Sequence, residues 1–408
     1  MTLRRRTIPA LAAALAFPTA VLAAAPADAG SCKAPTGILR TNPDKTMNLP
    51  GGASVRIWDT GNLKANIKEV RIVAVRIPAG SLIPRAVTSS SLSKAATPQS
   101  QAKGNDRAVV VINGGVFDPS GASIPVRSQV IDGTVRKGTS GSDQGLALYE
   151  DTRTAQWTLH KTTGTVGSEH GSRDVGAVNW QTLAARGVSV YTRAWGPSAH
   201  PAGSRTVVVK GGRVTKVLKG NAGSRRPGGG ESFLTARSRS DSDWVGSLRQ
   251  GEAVTVRTEQ SGYLGFLAKH PAIGTPDSVL GVSSALVRSG QNRAGCGSRD
   301  ETLRPRSGLL WLPNGDLIVA AVAGRPNAAA GGATAHQWGE YMKQLGAVHA
   351  VNLDGGSSTT LLVRQRVGGP PDPPRPRRRL PAIGARRAHL PRALLGHWGE
   401  TGPRIPTS

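Results

Sequence analysis

Residues 352–360 read Asn352-Leu353-Asp354-Gly355-Gly356-Ser357-Ser358-Thr359-Thr360. An apolar run, Ala347 to Leu353, delivers one carboxylate into a Gly-Gly turn, and four hydroxyl residues follow. Glycines let a main chain approach a ligand closely, and successive amides there can cradle an anion. A second segment has the same build: Val111-Ile112-Asn113-Gly114-Gly115, then Phe117 and Asp118. Each reads as a strand ending in Asn or Asp and turning at Gly-Gly. Taken singly, either is ordinary turn chemistry. Taken together, the two edges can converge on one site. Arginines would complete a site for an anionic substrate, because a guanidinium fork holds phosphate oxygens bidentately. Arg306 and Arg325 are the expected candidates, although solvated surface charge is the default for any one of 52 basic residues.

Asp354 is the expected base or nucleophile, with Asp118 and Glu340 as lesser candidates. Glu340 lies one position before Tyr341 on a helix face, which favours a structural role. Asn113 is expected to join Asp354 in the site. Gly114, Gly115, Gly355 and Gly356 are expected to line the pocket with backbone, and Asp118, Ser357 and Thr359 to contact substrate; turn bonding is the alternative for the hydroxyls. His336 falls in a first helical turn and reads as a surface histidine. Asp118 and Asp354 could share a divalent cation, but two dispersed acids without a ligand run do not define a metal site. No cofactor is expected. The HExxH, P-loop, GxSxG and dinucleotide signatures do not occur, so those hydrolase and nucleotide classes lose their simplest support.

These residues need elements to hold them. Ser54 to Trp58, Val70 to Ile77 and Val109 to Ile112 read as strands, rich in β-branched residues. Asp132-Gly133 marks a hairpin turn between Ser128–Ile131 and Thr134-Val135. Further short strands are expected at 145–149, 156–159, 188–192, 206–209, 214–218 and 253–258, with a mobile Gly/Arg-rich loop at 221–231. The clearest unit spans residues 316–362. Leu317 to Val322 is a strand, Thr334 and Gln337 form a capping box, and Trp338, Tyr341, Met342 and Leu345 share one helical face. Gly346 ends that helix, and Val348 to Leu353 is the next strand. Such a unit implies a right-handed crossover between parallel strands, with Asp354 at a strand's carboxyl end, where α/β sheets bind ligands. The expected class is α+β: a β-rich body with a mixed sheet and this C-terminal strand–helix–strand unit.

The ends of the chain differ from its body. Residues 1–29 read as a secretory signal, with Arg4-Arg5-Arg6, an Ala/Leu-rich apolar stretch and Ala27-Asp28-Ala29 as the cleavage site. The mature protein is therefore expected outside the cell, with no transmembrane segment. Export makes a Cys32–Cys296 disulfide the expected fate of the two cysteines, which form no CxxC pair. Residues 364–408 are an Arg/Pro-rich basic tail, expected to be disordered or the product of a frameshift. Of the net charge of +27, the tail holds +8 and the signal +2, leaving +17 dispersed over the body. With few aromatics interleaved, a specific nucleic-acid platform is not expected.

The chain resembles the phosphodiester glycosidase family. The likeness rests on Ile112-Asn113-Gly114-Gly115-Val116-Phe117-Asp118, Arg304-Pro305-Arg306-Ser307, Gly324-Arg325 and the 352–360 motif, in that order. It divides the chain into a β-rich region at 30–106 and a glycosidase-like domain at 107–363. It departs from the family at Ala323, where an acid is usual, and at Ser357, where a third glycine is usual; the family's closing strands give way to the basic tail. The resemblance implies a hydrolase of a sugar-1-phosphodiester, with a phosphate-bearing glycan as substrate and Asn113 binding its sugar hydroxyls or phosphate; the signal segment implies that it is exported. The alternative is a non-catalytic binder of anionic cell-surface glycans.

Overall fold

The computed structural model describes residues 39, 42–59, 70–118, 123–219, 225–265, 274–295, 302–324, 332–365 and 392–397 of the 408-residue chain. The expected signal, Cys32, Cys296, Arg325 and most of the basic tail lie outside those residues. No described helix is long and apolar enough to cross a membrane.

Three sheets build the described body. The first has eight strands. Strands Lys45–Asn48, Ser54–Asp59 and Val70–Ile77 form its start, and Val70–Ile77 pairs antiparallel with Leu317–Gly324. The regions expected at 30–106 and 107–363 therefore share one sheet. The second sheet has eleven strands and is mixed, because Gly171–Val178 and Val188–Thr192 pair in parallel. The third has four strands, with Arg392–His397 lying between Ile83–Thr88 and Ala108–Asn113 and antiparallel to both. A strand at that position was not expected within the basic tail. The architecture is the expected α+β class with a β-rich body.

Apolar alternation accounts for the core. Val55, Val75, Ile112, Leu146, Leu309, Val319 and Val351 are fully buried and pack in one cluster between the sheets. The outer face of the first sheet buries Ile72, Leu310 and Val322 beneath the helix Ala335–Gln344. That helix contributes Trp338, Tyr341 and Met342 to the same cluster, as its periodicity requires. Its capping box is formed: Gln337 N donates to Thr334 Oγ1 at 3.1 Å, and Thr334 N donates to Gln337 Oε1 at 3.1 Å. The hairpin at Asp132-Gly133 is formed too, with φ of 47° and 71° at the two positions, as a primed turn demands.

The crossover unit differs in one respect from its expected form. Leu317–Gly324 and His349–Asn352 run parallel but are not neighbours. Strand Arg306–Trp311 lies between them, antiparallel to each. This interposed strand brings Arg306 and Ser307 to the end of His349–Asn352, beside Asp354.

Candidate functional site

The site begins where Ala108–Asn113 and His349–Asn352 end. Asn113 is buried and bonds to the other edge through both of its side-chain groups. Its Nδ2 donates to the Asp354 main-chain oxygen at 2.9 Å, and its Oδ1 accepts from Thr360 N at 3.0 Å. The main chains join as well: Asp354 N donates to Gly114 O at 2.9 Å, and Asn113 N to Thr360 O at 3.2 Å. Leu361–Val363 then runs antiparallel beside Val110–Ile112. The two Gly-Gly edges are therefore one structure. The chain leaves Asp354, makes a short 3-10 turn over Gly356–Ser358 and returns along the strand that carries Asn113.

Strand Arg306–Trp311 supplies a third side. Ser307 Oγ donates to Asp354 O at 2.7 Å, and Leu353 N donates to Ser307 O at 3.0 Å. Gly356 N donates to Pro305 O at 2.7 Å. A fourth side comes from 281–283, where Ser283 N donates to Asn352 O at 3.1 Å. Gly115 abuts this segment so closely that a Cβ there would lie 1.8 Å from Gly281 O. Only glycine permits that approach.

The Asp354 carboxyl is the electrostatic focus. Burial pushes its pKa up to about 6, while hydrogen bonds from Ser358 Oγ and Gly355 N and the charge of Arg304 act the other way. The Gly355 N–H lies 2.9 Å from Asp354 Oδ1. Burial prevails because desolvation of a carboxylate opposes its ionised form more than these few donors favour it. A carboxyl poised near neutral pH is suited to proton transfer.

The other expected residues divide by placement. The Gly355 amide is turned onto the Asp354 carboxyl and the Gly356 amide onto Pro305 O. The 3-10 turn directs both inward, so this pair does not form the expected backbone cradle. Ser357 is exposed at the turn, whereas Thr359 is fully buried and its hydroxyl faces the protein interior. Asp118 lies in a short ladder in which its N–H donates to Ile124 O at 2.9 Å. Arg306 is buried; its Nε donates to Ala333 O at 2.8 Å and its Nη2 to Thr302 O at 3.4 Å. It ties the strand to the residues that lead into the helix. Arg304, two positions earlier, is exposed and acts electrostatically on Asp354.

Glu340 is also held structurally. Burial works against its charge, but hydrogen bonds from Asn292 and Lys343 and the Lys343 charge keep its pKa below the usual range. His336 Nδ1 is buried without a hydrogen-bond partner. Sequence reasoning missed Ser358 and Arg304. Both had a signal: Ser358 stands four residues beyond the acid, one tight turn away, and Arg304 shares the Arg-Pro-Arg element with the arginine that was chosen.

An apolar cavity of about 310 Å³ lies elsewhere, between Ile112, Leu309, Trp311 and Val319. It sits towards the Trp311 end of the strand whose Arg306 end meets Asp354, and its lining contains no carboxylate.

The family described as phosphodiester glycosidase matches residues 203–384, which include Arg304, Arg306 and Asp354. No curated protein matches the sequence. The fold is similar to that of a hypothetical protein from Synechocystis, with a TM-score of 0.64 and 19% identity, covering 85% of this chain and 62% of that one. The match thus spans less than two thirds of that protein's length. A protein from Burkholderia pseudomallei K96243 is similar with a TM-score of 0.58 and 19% identity, covering 81% of this chain and 74% of that one. The zebrafish N-acetylglucosamine-1-phosphodiester alpha-N-acetylglucosaminidase catalytic domain, auto-inhibited by its pro-peptide, aligns with a TM-score of 0.44 and 11% identity, over 86% of this chain and 87% of that one. Residues 203–384, with Asp354 at the strand end, are thus similar to the phosphodiester glycosidase family over somewhat less than half of the chain.

Proposed function

We propose that this chain is an exported hydrolase of glycosyl phosphodiesters, with Asp354 as the base that activates water. The carrying observation is the union of the Asn113 and Asp354 edges around a carboxyl whose pKa is raised to about 6. Above that pH the group is ionised and can accept a proton. Water gives its proton to Asp354 and its oxygen to the anomeric carbon. The carbon–oxygen bond to phosphate breaks, and the phosphate monoester leaves with the electron pair. The second pKa of a phosphate monoester is about 6, so it departs without strong protonation. One carboxylate then does what ordinary glycosidases divide between two. Arg304 is exposed and electrostatically coupled to Asp354, which suits it to hold the phosphate of a glycan substrate.

Incubation with an N-acetylglucosamine 1-phosphodiester in ¹⁸O-water, read by mass spectrometry, tests this reading. Release of ¹⁸O-labelled sugar and unlabelled phosphate monoester is expected. Saturable binding without turnover would support the anionic-glycan binder instead.

A further inference from the structure

Outside this site, Glu169, His170 and Glu252 converge. Glu169 and His170 form the tip of the hairpin joining Thr154–Ser168 to Gly171–Val178, and Glu252 lies in the turn before Thr255–Gly265. His170 Nε2 is 3.5 Å from Glu252 Oε2 and 3.9 Å from Glu169 Oε1, and one ligand atom from each residue falls within 4.8 Å of the others. We propose that these three side chains bind a divalent transition-metal ion of the zinc type.

The separations suit such an ion. With metal–ligand bonds of about 2.0–2.1 Å, two ligands of a tetrahedral zinc lie about 3.4 Å apart. The two His170 distances therefore close on a metal with side-chain shifts of about half an ångström or less. A second, independent feature points the same way. The Glu252 side chain is only 4% exposed, yet its Oε1 has no hydrogen-bond partner. A buried carboxylate oxygen without a donor is unfavourable, and a cation held by the same carboxylate, whose Oε2 faces His170, would offset that cost. Oε2 already accepts from Arg249 N at 2.9 Å, which fixes the carboxylate plane.

The backbone under these ligands is held in place. His170 O accepts from Trp244 Nε1 at 3.1 Å, and His170 N donates to Ser168 Oγ at 3.0 Å. Glu252 O accepts from Val214 N at 2.9 Å. Neighbouring cations have other partners: Arg213 donates to Gly251 O, and Arg173 pairs with Asp241 near the Trp244 ring. Glu169 and His170 are exposed on their outer sides, which leaves further coordination positions to water. One imidazole with two carboxylates favours a borderline ion such as Zn²⁺ over Ca²⁺, which takes only oxygen ligands. The ligands come from segments some eighty residues apart, so no sequence run announces them. A bound ion would tie the hairpin tip to the turn and stabilise this end of the second sheet by mass action.

The test is titration of the full chain with Zn²⁺ by calorimetry, and with Co²⁺ by visible absorption. One saturable site per chain is expected at this cluster, with a ligand-field band for bound Co²⁺. His170→Ala and Glu252→Gln should each weaken that site at least tenfold and abolish the band. Glu169→Gln, at an exposed tip that leaves folding intact, should weaken it less. Absence of saturable binding, or binding and band unchanged in both His170→Ala and Glu252→Gln, would overturn the proposal.

Discussion

The Asn113 side chain and the Asp354 main chain are joined by a hydrogen bond of 2.9 Å across 241 residues of sequence. The same asparagine accepts from Thr360 N at 3.0 Å, so one buried amide clamps both ends of the 354–360 turn. Asn113→Ala leaves the Thr360 N–H without its acceptor and removes a donor from Asp354 O. An unpaired buried group costs about 1–3 kcal/mol. A stability loss of about 2–3 kcal/mol is expected in urea unfolding, with turnover falling further than stability alone explains.

Asp354 should make the fold pH-sensitive. Its folded pKa, about 6, lies above the ordinary 3.8. A group raised in this way contributes stability below its unfolded pKa and loses it as pH rises through the folded value. Asp354→Asn removes the charge that burial opposes. The variant should be more stable than wild type at pH 8, by on the order of 2–3 kcal/mol, and nearly equal to it at pH 4. Equal stabilities at both pH values would remove the raised pKa from the account.

The two arginines of the Arg-Pro-Arg element should separate cleanly. Arg306 is buried against Ala333 O and Thr302 O, so Arg306→Ala should lose about 2–4 kcal/mol of stability through broken hydrogen bonds and a cavity. Arg304 is exposed, so Arg304→Ala should unfold within about 0.5 kcal/mol of wild type. Its charge lowers the Asp354 pKa. Removing it should move the acidic limb of the pH–rate profile to higher pH and raise KM for a phosphodiester.

Gly115→Ala should be severe. The added methyl would meet Gly281 O at 1.8 Å, and both partners are backbone. A loss of about 3 kcal/mol or more is expected, seen as a lowered Tm or as insoluble expression. Gly80→Ala makes a useful contrast, because space there is open and only the positive φ of 68° opposes it.

Much of this arrangement was legible in the chain. β-branched runs announced the strands, the Asp132-Gly133 hairpin followed from turn chemistry, and Thr334 with Gln337 gave the helix start. The acid at a strand end and its Asn-Gly-Gly partner were visible as motifs. Three features were not. Strand Arg306–Trp311 inserts between two parallel strands, and local periodicity carries no information about which strands are neighbours. The inward-turned amides of Gly355 and Gly356 depend on a 3-10 turn that hydroxyl-rich sequence does not specify. The strand Arg392–His397 lies in a segment whose composition suggested none, and its pairing with Ala108–Asn113 is a long-range contact. Arg304 and Arg306 look alike in sequence, and only burial distinguishes them.

The most direct measurement is the pH dependence of kcat/KM on an N-acetylglucosamine 1-phosphodiester, for wild type and Asp354→Asn. Wild-type activity should rise with pH through an apparent pKa near 6 as Asp354 ionises, and the variant should lose at least about 100-fold in rate, as expected for loss of a general base. A folded Asp354→Asn protein that keeps wild-type turnover and the same pH limb would contradict the assignment of Asp354 as the base.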